Sequence, residues 1–127
     1  MTSRRVGEHG QATLEFVLCL PIAAFVLGML IEIGLLVGDH VRLWHAARES
    51  ARVAIVDSDP EEIRDAGERG GLSPLAVKVE PEFADRSIGR PLTVTLTYRP
   101  DGRLPILGNL IAGRPMSSSA TMRIEQP

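Results

Sequence analysis

The chain has 127 residues and a formal net charge of −2, and its acidic residues are dispersed rather than run together. This length allows about one domain, and the absence of a basic excess argues against nucleic acid as a partner. The single cysteine, Cys19, excludes an intrachain disulfide. We predict that Cys19 is a small buried hydrophobe and not a lipid anchor, because Leu18 stands where a lipoprotein needs a small residue.

The N-terminal part changes from polar to strongly apolar within a few residues. Residues 1–10 are polar and include Arg4 and Arg5, whereas residues 16–38 contain one charge, Glu32. This stretch of 23 residues is long enough to cross a hydrocarbon layer of about 30 Å. It is too long for the apolar region of a cleavable secretory signal peptide. We therefore predict one membrane span, with the N-terminus in the cytoplasm because arginines favour that side.

Beyond the span the apolar pattern narrows to one stripe, which predicts that the same helix continues to about residue 56. The stripe recurs at steps of three and four residues and contains Trp44, Ala47, Ala51, Ala54 and Ile55. We expect this helix to begin near Ala12 and the stripe to face a small domain. Trp44 is also expected near the membrane exit, where indole rings are favoured.

The remaining residues predict a small α+β domain with a short helix and a three-stranded antiparallel sheet. Asp59, Pro60 and Glu62 have the spacing of a helix start with a capping box, and Gly70 and Gly71 can end that helix. Alternating apolar residues predict strands within 75–79, 92–98 and 120–124. Their apolar face should pack on the helical stripe. The apolar loop 100–115 is either a helical turn covering a sheet edge or a subunit contact.

Gly10, Gln11, Glu15 and Phe16 lie at the boundary between the polar and apolar segments. Taken singly, a carboxylate here only stabilises a helix start. Taken together, they have a further meaning, because cleavage after Gly10 would give Gln11 a new ammonium and make Glu15 the fifth residue. A buried charge is tolerated only when it is paired. In a stack of such chains, Glu15 would therefore pair with the Gln11 ammonium of a neighbour.

This arrangement resembles the type IV pilin superfamily, and within it the TadE-like minor pilins and pseudopilins of tight-adherence systems. The resemblance extends to Leu20-Pro21, to residues 46–52, to the strand at residues 93–98 and to residues 120–123. It implies a structural subunit of the bacterial cytoplasmic membrane or of an extracellular filament, cut after Gly10 by a prepilin peptidase. The implied partners are a major pilin, other minor pilins, the inner-membrane assembly platform and membrane lipid. The implied divisions are a leader at 1–10, a helix at 11–57 and an outer domain at 58–127.

Three further residues are candidates for contacts between helices or subunits. Pro21 removes a backbone donor and should bend the span. Glu32 is costly inside a membrane, so it either reaches the interface or contacts another subunit. Trp44 is the third candidate. The alternative to a pilin-like subunit is an unprocessed single-span anchor whose outer domain binds a partner.

The sequence gives little support for catalysis. Its histidines, His9, His40 and His45, lie in the leader and the long helix and form no H-E-x-x-H motif. The spacing of His40 and His45 places them on different sides of a helix, which makes a poor metal site. We expect no enzyme activity, no cofactor and no metal.

Overall fold

The computed structural model describes residues 8–104 and 108–125. One long helix, α1, spans Glu8–Ala54 and has 47 residues, which corresponds to about 70 Å. The prediction of a continuous helix is confirmed, although α1 begins before Ala12, the expected start. It ends at Ala54, where the regular hydrogen-bond pattern gives way to a turn. The Val56 and Asp57 amides both donate to the Val53 carbonyl there.

The first half of α1 is apolar on all sides. A candidate membrane span lies within Gly10–Ala54, and almost none of it is buried by the rest of the described chain. Large apolar side chains such as Phe16, Leu20 and Phe25 are exposed all around it. Pro21 lies inside the helix without ending it. Cys19 is exposed in the single chain, so the prediction that it is buried is wrong there.

The second helix, α2, spans Pro60–Glu68 and starts as predicted at Asp59. The Asp59 carboxylate accepts the Glu61 amide at 2.9 Å. The predicted capping box with Glu62 is wrong, because the Asp59 amide that Glu62 was expected to bind is donated to the Asp57 carboxylate at 2.9 Å. Beyond the helix, Gly71 has a φ of 85°, the left-handed conformation in which a glycine ends a helix without penalty.

Three strands form the predicted antiparallel sheet. Strand β1 spans Ala76–Glu80, β2 spans Pro91–Tyr98 and β3 spans Met116–Arg123, in the order β1-β2-β3. Val79 pairs with Val94, and Leu92 pairs with Met122, so the apolar residues share one face. The α+β class is therefore confirmed, with the sheet lying against the second half of α1.

The core lies between this sheet, α1 and α2. Its buried apolar residues come from β2, from α2 with the turn after it, and from one face of α1. Ala47, Ala51 and Ala54 on α1, and Ile55 directly after it, are buried as predicted. Trp44 is not, because 41% of its surface is exposed while the neighbouring Leu43 is fully buried. The face that packs is thus turned by one position, toward Leu43 and the small side chains that let the sheet approach.

Helices α1 and α2 cross closely at Ser50 and Gly67. A Cβ added at Gly67 would lie 2.7 Å from the Ser50 Oγ, so only glycine fits there without movement. The buried Ser50 hydroxyl donates to the Ile63 carbonyl at 2.8 Å. Its polarity is thereby satisfied inside the core.

The β2–β3 loop contains the predicted helical turn, a short helix α3 at Gly108–Ile111. Residues 105–107, which include the apolar Ile106 and Leu107, lie outside the described residues. The Gly113 amide donates to the Pro100 carbonyl at 3.4 Å, which holds the two ends of the loop together. Arg103 joins this loop to α1 through its backbone amide and its guanidinium. Cover of a sheet edge and contact with another subunit, the two predicted roles of the loop, stay predictions.

Candidate functional site

The four residues of the predicted processing and assembly site lie in the first turns of α1. Gly10, Gln11, Glu15 and Phe16 are all exposed, and a Cβ added at Gly10 would meet nothing within 4 Å. The side-chain amide of Gln11 donates to Glu15 Oε1 at 3.1 Å. Residues four apart share one helix face, so the two residues that the pairing hypothesis joins between chains already meet within one chain.

The exposed Glu15 carboxylate sits on an otherwise apolar surface. Leu14 and Phe16 beside it are 63% and 68% exposed. A helix with one acid at the edge of such a surface can enter an apolar bundle only if a cation meets that acid. In the single chain the described partner of Glu15 is the neutral side-chain amide of Gln11, which leaves the negative charge of Glu15 uncompensated by that contact.

The second candidate, Glu32, is buried by the chain itself. Only 3% of it is exposed, and its Oε1 accepts the Arg103 backbone amide at 3.3 Å. Its Oε2 is buried and has no hydrogen-bond partner among the described residues. This intrachain contact with Arg103 was not predicted from the sequence, while reach of Glu32 to the membrane interface or contact with another subunit stays a prediction.

Asp39 completes the same cluster and was not singled out from the sequence. It is as buried as Glu32 and accepts the Arg103 guanidinium at 3.2 Å. Arg42 lies farther away, at 3.9 Å. Helical spacing could have predicted that Glu32 and Asp39 lie on the same face of α1. It could not have predicted the contact with Arg103, which is distant from both acids along the chain.

Trp44 lies on the surface of α1 beside β3. The Arg48 guanidinium stacks over its ring at 3.9 Å from the centroid, and the His45 ring meets its edge at 5.1 Å. A shallow cleft of about 300 Å³ is formed there together with Arg52 and residues of β3. An indole with one arginine over its face and a polar strand beside it suits an interfacial position. The interface role of Trp44 stays a prediction.

A second cleft, of about 360 Å³, lies at the far end of the domain and is lined mainly by apolar side chains of α2 and β1. Arg86 borders it and donates to the Ala54 carbonyl at 3.2 Å, at the end of α1. Burial lowers the pKa of Arg86 from its usual value. The contact satisfies a terminal carbonyl of α1, so it is explained as a helix cap.

No metal-ligating group of three His, Cys, Asp or Glu residues occurs in the part of the chain that the structure describes. His40 and His45 are exposed on α1. The clusters described above combine charged pairs with exposed apolar side chains.

The model of the TadE-like protein family matches residues 10–52 and confirms the resemblance seen in the sequence. The match starts at Gly10, contains Glu15, Glu32, Asp39 and Trp44, and ends shortly before α1 does. No curated protein and no solved structure matches the chain. The similarity thus lies in the long helix, while α2 and the sheet fall outside it.

Proposed function

We propose that this chain is a structural minor pilin or pseudopilin of a tight-adherence pilus or secretion system. The observation that carries the proposal is the TadE-like match over residues 10–52, which coincides with the long apolar helix. An association with a tight-adherence pilus follows from the family. The minor-subunit role rests on the size of the outer domain, because the major pilins of these systems have little beyond the helix.

In this proposal α1 holds the chain in the bacterial cytoplasmic membrane as a single pass. The N-terminus lies in the cytoplasm, where Arg4 and Arg5 favour it, and the domain of α2 and the sheet lies outside. The exposed apolar side chains of the first half of α1 are then covered by lipid before assembly and by neighbouring helices after it. The partners are the major pilin, other minor pilins and the inner-membrane assembly platform.

A prepilin peptidase removes residues 1–10 in this scheme. The exposed position of Gly10, where even a Cβ would be free of contacts, supports access to the peptide bond that follows it. Cleavage converts the Gln11 backbone nitrogen into an ammonium next to Glu15. The Glu15 carboxylate of one subunit then pairs with the Gln11 ammonium of the next, which fixes the axial step between them.

One observation favours the alternative of an unprocessed single-span anchor with a partner-binding outer domain. Helix α1 is continuous through Gly10, and Glu15 already has a partner in Gln11 of the same chain. An intact anchor would need no neighbour to satisfy that carboxylate. Leader cleavage therefore separates the two functions.

The deciding experiment measures the intact mass and the N-terminus of the chain from membranes with and without the prepilin peptidase. We expect the mature chain to begin at Gln11 only when the peptidase is present. Gly10→Val should leave the leader attached, whereas Gly34→Val, at another uncrowded glycine of the same helix, should be processed normally. An intact N-terminus in assembly-competent cells would favour the anchor.

A further inference from the structure

The β2–β3 loop contacts α1 at the level where the helix leaves the membrane. Glu32, which binds the Arg103 backbone, lies 16 residues after Phe16, or about 24 Å along the helix axis. Counted from Gln11 instead, the distance is about 32 Å. A hydrocarbon layer is about 30 Å thick, so Arg103 lies about 6 Å inside its outer edge if the span begins at Phe16 and about 2 Å outside it if the span begins at Gln11.

The charges of this contact are arranged as a membrane boundary requires. The Arg103 backbone amide pairs with Glu32, while its guanidinium extends to Asp39, seven residues farther out on α1, or about 10 Å. Arginine side chains near the end of a span reach outward in this way, with the stem in the apolar zone and the charge toward water.

Two backbone amides in the described part of the loop donate to carbonyls of the same loop at this depth. The Gly108 amide donates to the Leu104 carbonyl at 2.8 Å, and the Ala112 amide donates to the Gly108 carbonyl at 2.7 Å. Irregular backbone is tolerated at a membrane only when such groups are paired. Leu110 on α3 is 68% exposed. Val37 and Val41, which flank Asp39 on α1, are also exposed.

We propose that the described parts of the β2–β3 loop, residues 99–104 and 108–115, rest in the outer leaflet of the bilayer, with Leu110 among the lipid chains. Glu32, Arg103 and Asp39 hold the loop against α1 at that depth. The occupant is lipid because the depth of Arg103 places the loop at the bilayer surface, next to a helix whose apolar surface is itself lipid-facing. The inference rests on the proposed single-pass anchorage of α1.

The test uses the full chain in phospholipid vesicles, with Cys19→Ala as background because Cys19 is its only cysteine. Nitroxide labels are attached singly at Leu110→Cys, at Leu20→Cys in the span and at Ser119→Cys on the exposed side of β3. Electron paramagnetic resonance then measures collision with oxygen, which concentrates in lipid, and with a water-soluble nickel complex. We expect Leu110 to prefer oxygen, as Leu20 does, and Ser119 to prefer nickel.

A second series asks whether the charged cluster holds the loop. Arg103→Ala should shift the Leu110 label severalfold toward the nickel complex and leave Ser119 unchanged. Arg114→Ala, at an exposed arginine near the end of the same loop, should change neither label. An unchanged Leu110 label in Arg103→Ala would overturn the role given to the cluster.

The outcomes also separate this inference from the proposed anchorage. If Leu20 collides with oxygen while Leu110 collides with nickel, α1 spans the bilayer but the loop does not touch it. A Leu110 label shielded from both reagents would mean that another protein subunit covers the loop, and lipid would be the wrong occupant. If Leu20 itself is in water, the anchorage fails and this inference fails with it.

Discussion

Side-chain size at single positions decides which face of α1 meets the sheet. In residues 44–55, two neighbouring rows of side chains on the helix both follow three- and four-residue spacing. The periodicity therefore predicted the buried face but not which residue forms its boundary. Ala47 and Ala51 belong to the chosen stripe, and they are buried. Trp44 is excluded in favour of Leu43 because a large ring would hold the sheet away from these small residues. That preference depends on the opposing strand, which helical spacing does not contain.

Leu43→Ala should destabilise the outer domain far more than Trp44→Ala. The Leu43 side chain is fully buried, whereas Trp44 is 41% exposed. Truncating a buried leucine to alanine typically lowers the free energy of unfolding by about 2–5 kcal/mol. Truncating a partly exposed side chain lowers it by less. Pulse proteolysis of the full chain in detergent, across a urea series, measures both. Equal destabilisation by the two variants would place Trp44 in the core after all.

Gly67→Ala should weaken the crossing of α1 and α2. The added methyl group would lie 2.7 Å from the Ser50 Oγ and 3.2 Å from side-chain atoms of Leu75 and Leu96. Such overpacking typically costs about 1–3 kcal/mol of the free energy of unfolding. The same urea series should show the loss.

Gly70→Ala is the matched control for this crossing, because its nearest neighbour would be 3.5 Å away and its backbone needs no positive φ. Ser50→Ala combined with Gly67→Ala should recover part of the loss, since it removes the closest contact. Strict additivity of the two changes would show that they do not act on the same contact.

Helices and strands that depend on local sequence patterns could be predicted. Features that depend on contacts between residues far apart in the chain could not. The strands follow from alternation, and α2 follows from Asp59 and Pro60 at its start. The capping box failed because Asp57, two residues before Asp59, competes for the same amide. The attachment of the β2–β3 loop to α1 depends on Arg103 meeting acids more than sixty residues earlier, and no local pattern encodes it.

Asp59→Ala should destabilise α2 by removing its cap. The Asp59 carboxylate satisfies the Glu61 amide, and losing such a cap typically costs about 0.5–2 kcal/mol. Glu62→Ala should have a smaller effect, because the Asp59 amide that a capping box would donate to Glu62 is donated to Asp57. Hydrogen exchange of the amides in α2 reads out both variants. Faster exchange in Glu62→Ala than in Asp59→Ala would show that Glu62 does cap the helix.

At the scale of the whole molecule, α1 has two halves with different surroundings. The buried apolar core begins at Leu43 and ends at Ile124, so it uses only the second half of the helix. The first half exposes apolar side chains in every direction and acquires its partners only from a membrane or an assembly. For this reason Gly10, Gln11 and Glu15 could be selected from the sequence by their position at a boundary, while the contact between subunits that we propose for them lies outside a single chain.

The proposed axial pairing predicts that Glu15→Ala impairs assembly without impairing insertion. In the monomer Glu15 is exposed and accepts only a neutral amide, so its loss should leave membrane insertion, leader removal and protein level near normal. In a filament or its priming complex, the Gln11 ammonium of the neighbour would lose its partner, and an unpaired buried charge commonly costs about 3–5 kcal/mol. Co-purification with the major pilin, quantified against membrane-inserted chain, measures the difference.

Two further variants separate charge from shape and position. Glu15→Gln keeps the size of the side chain and removes its charge, so it should fail nearly as badly as Glu15→Ala. Glu49→Ala removes an exposed acid of the same helix whose partner, Arg52, lies 3.9 Å away on the surface, and it should assemble normally. If Glu15→Gln assembles like the parent chain, the carboxylate does not set the axial step, and its remaining role is to stabilise the start of the helix through the dipole.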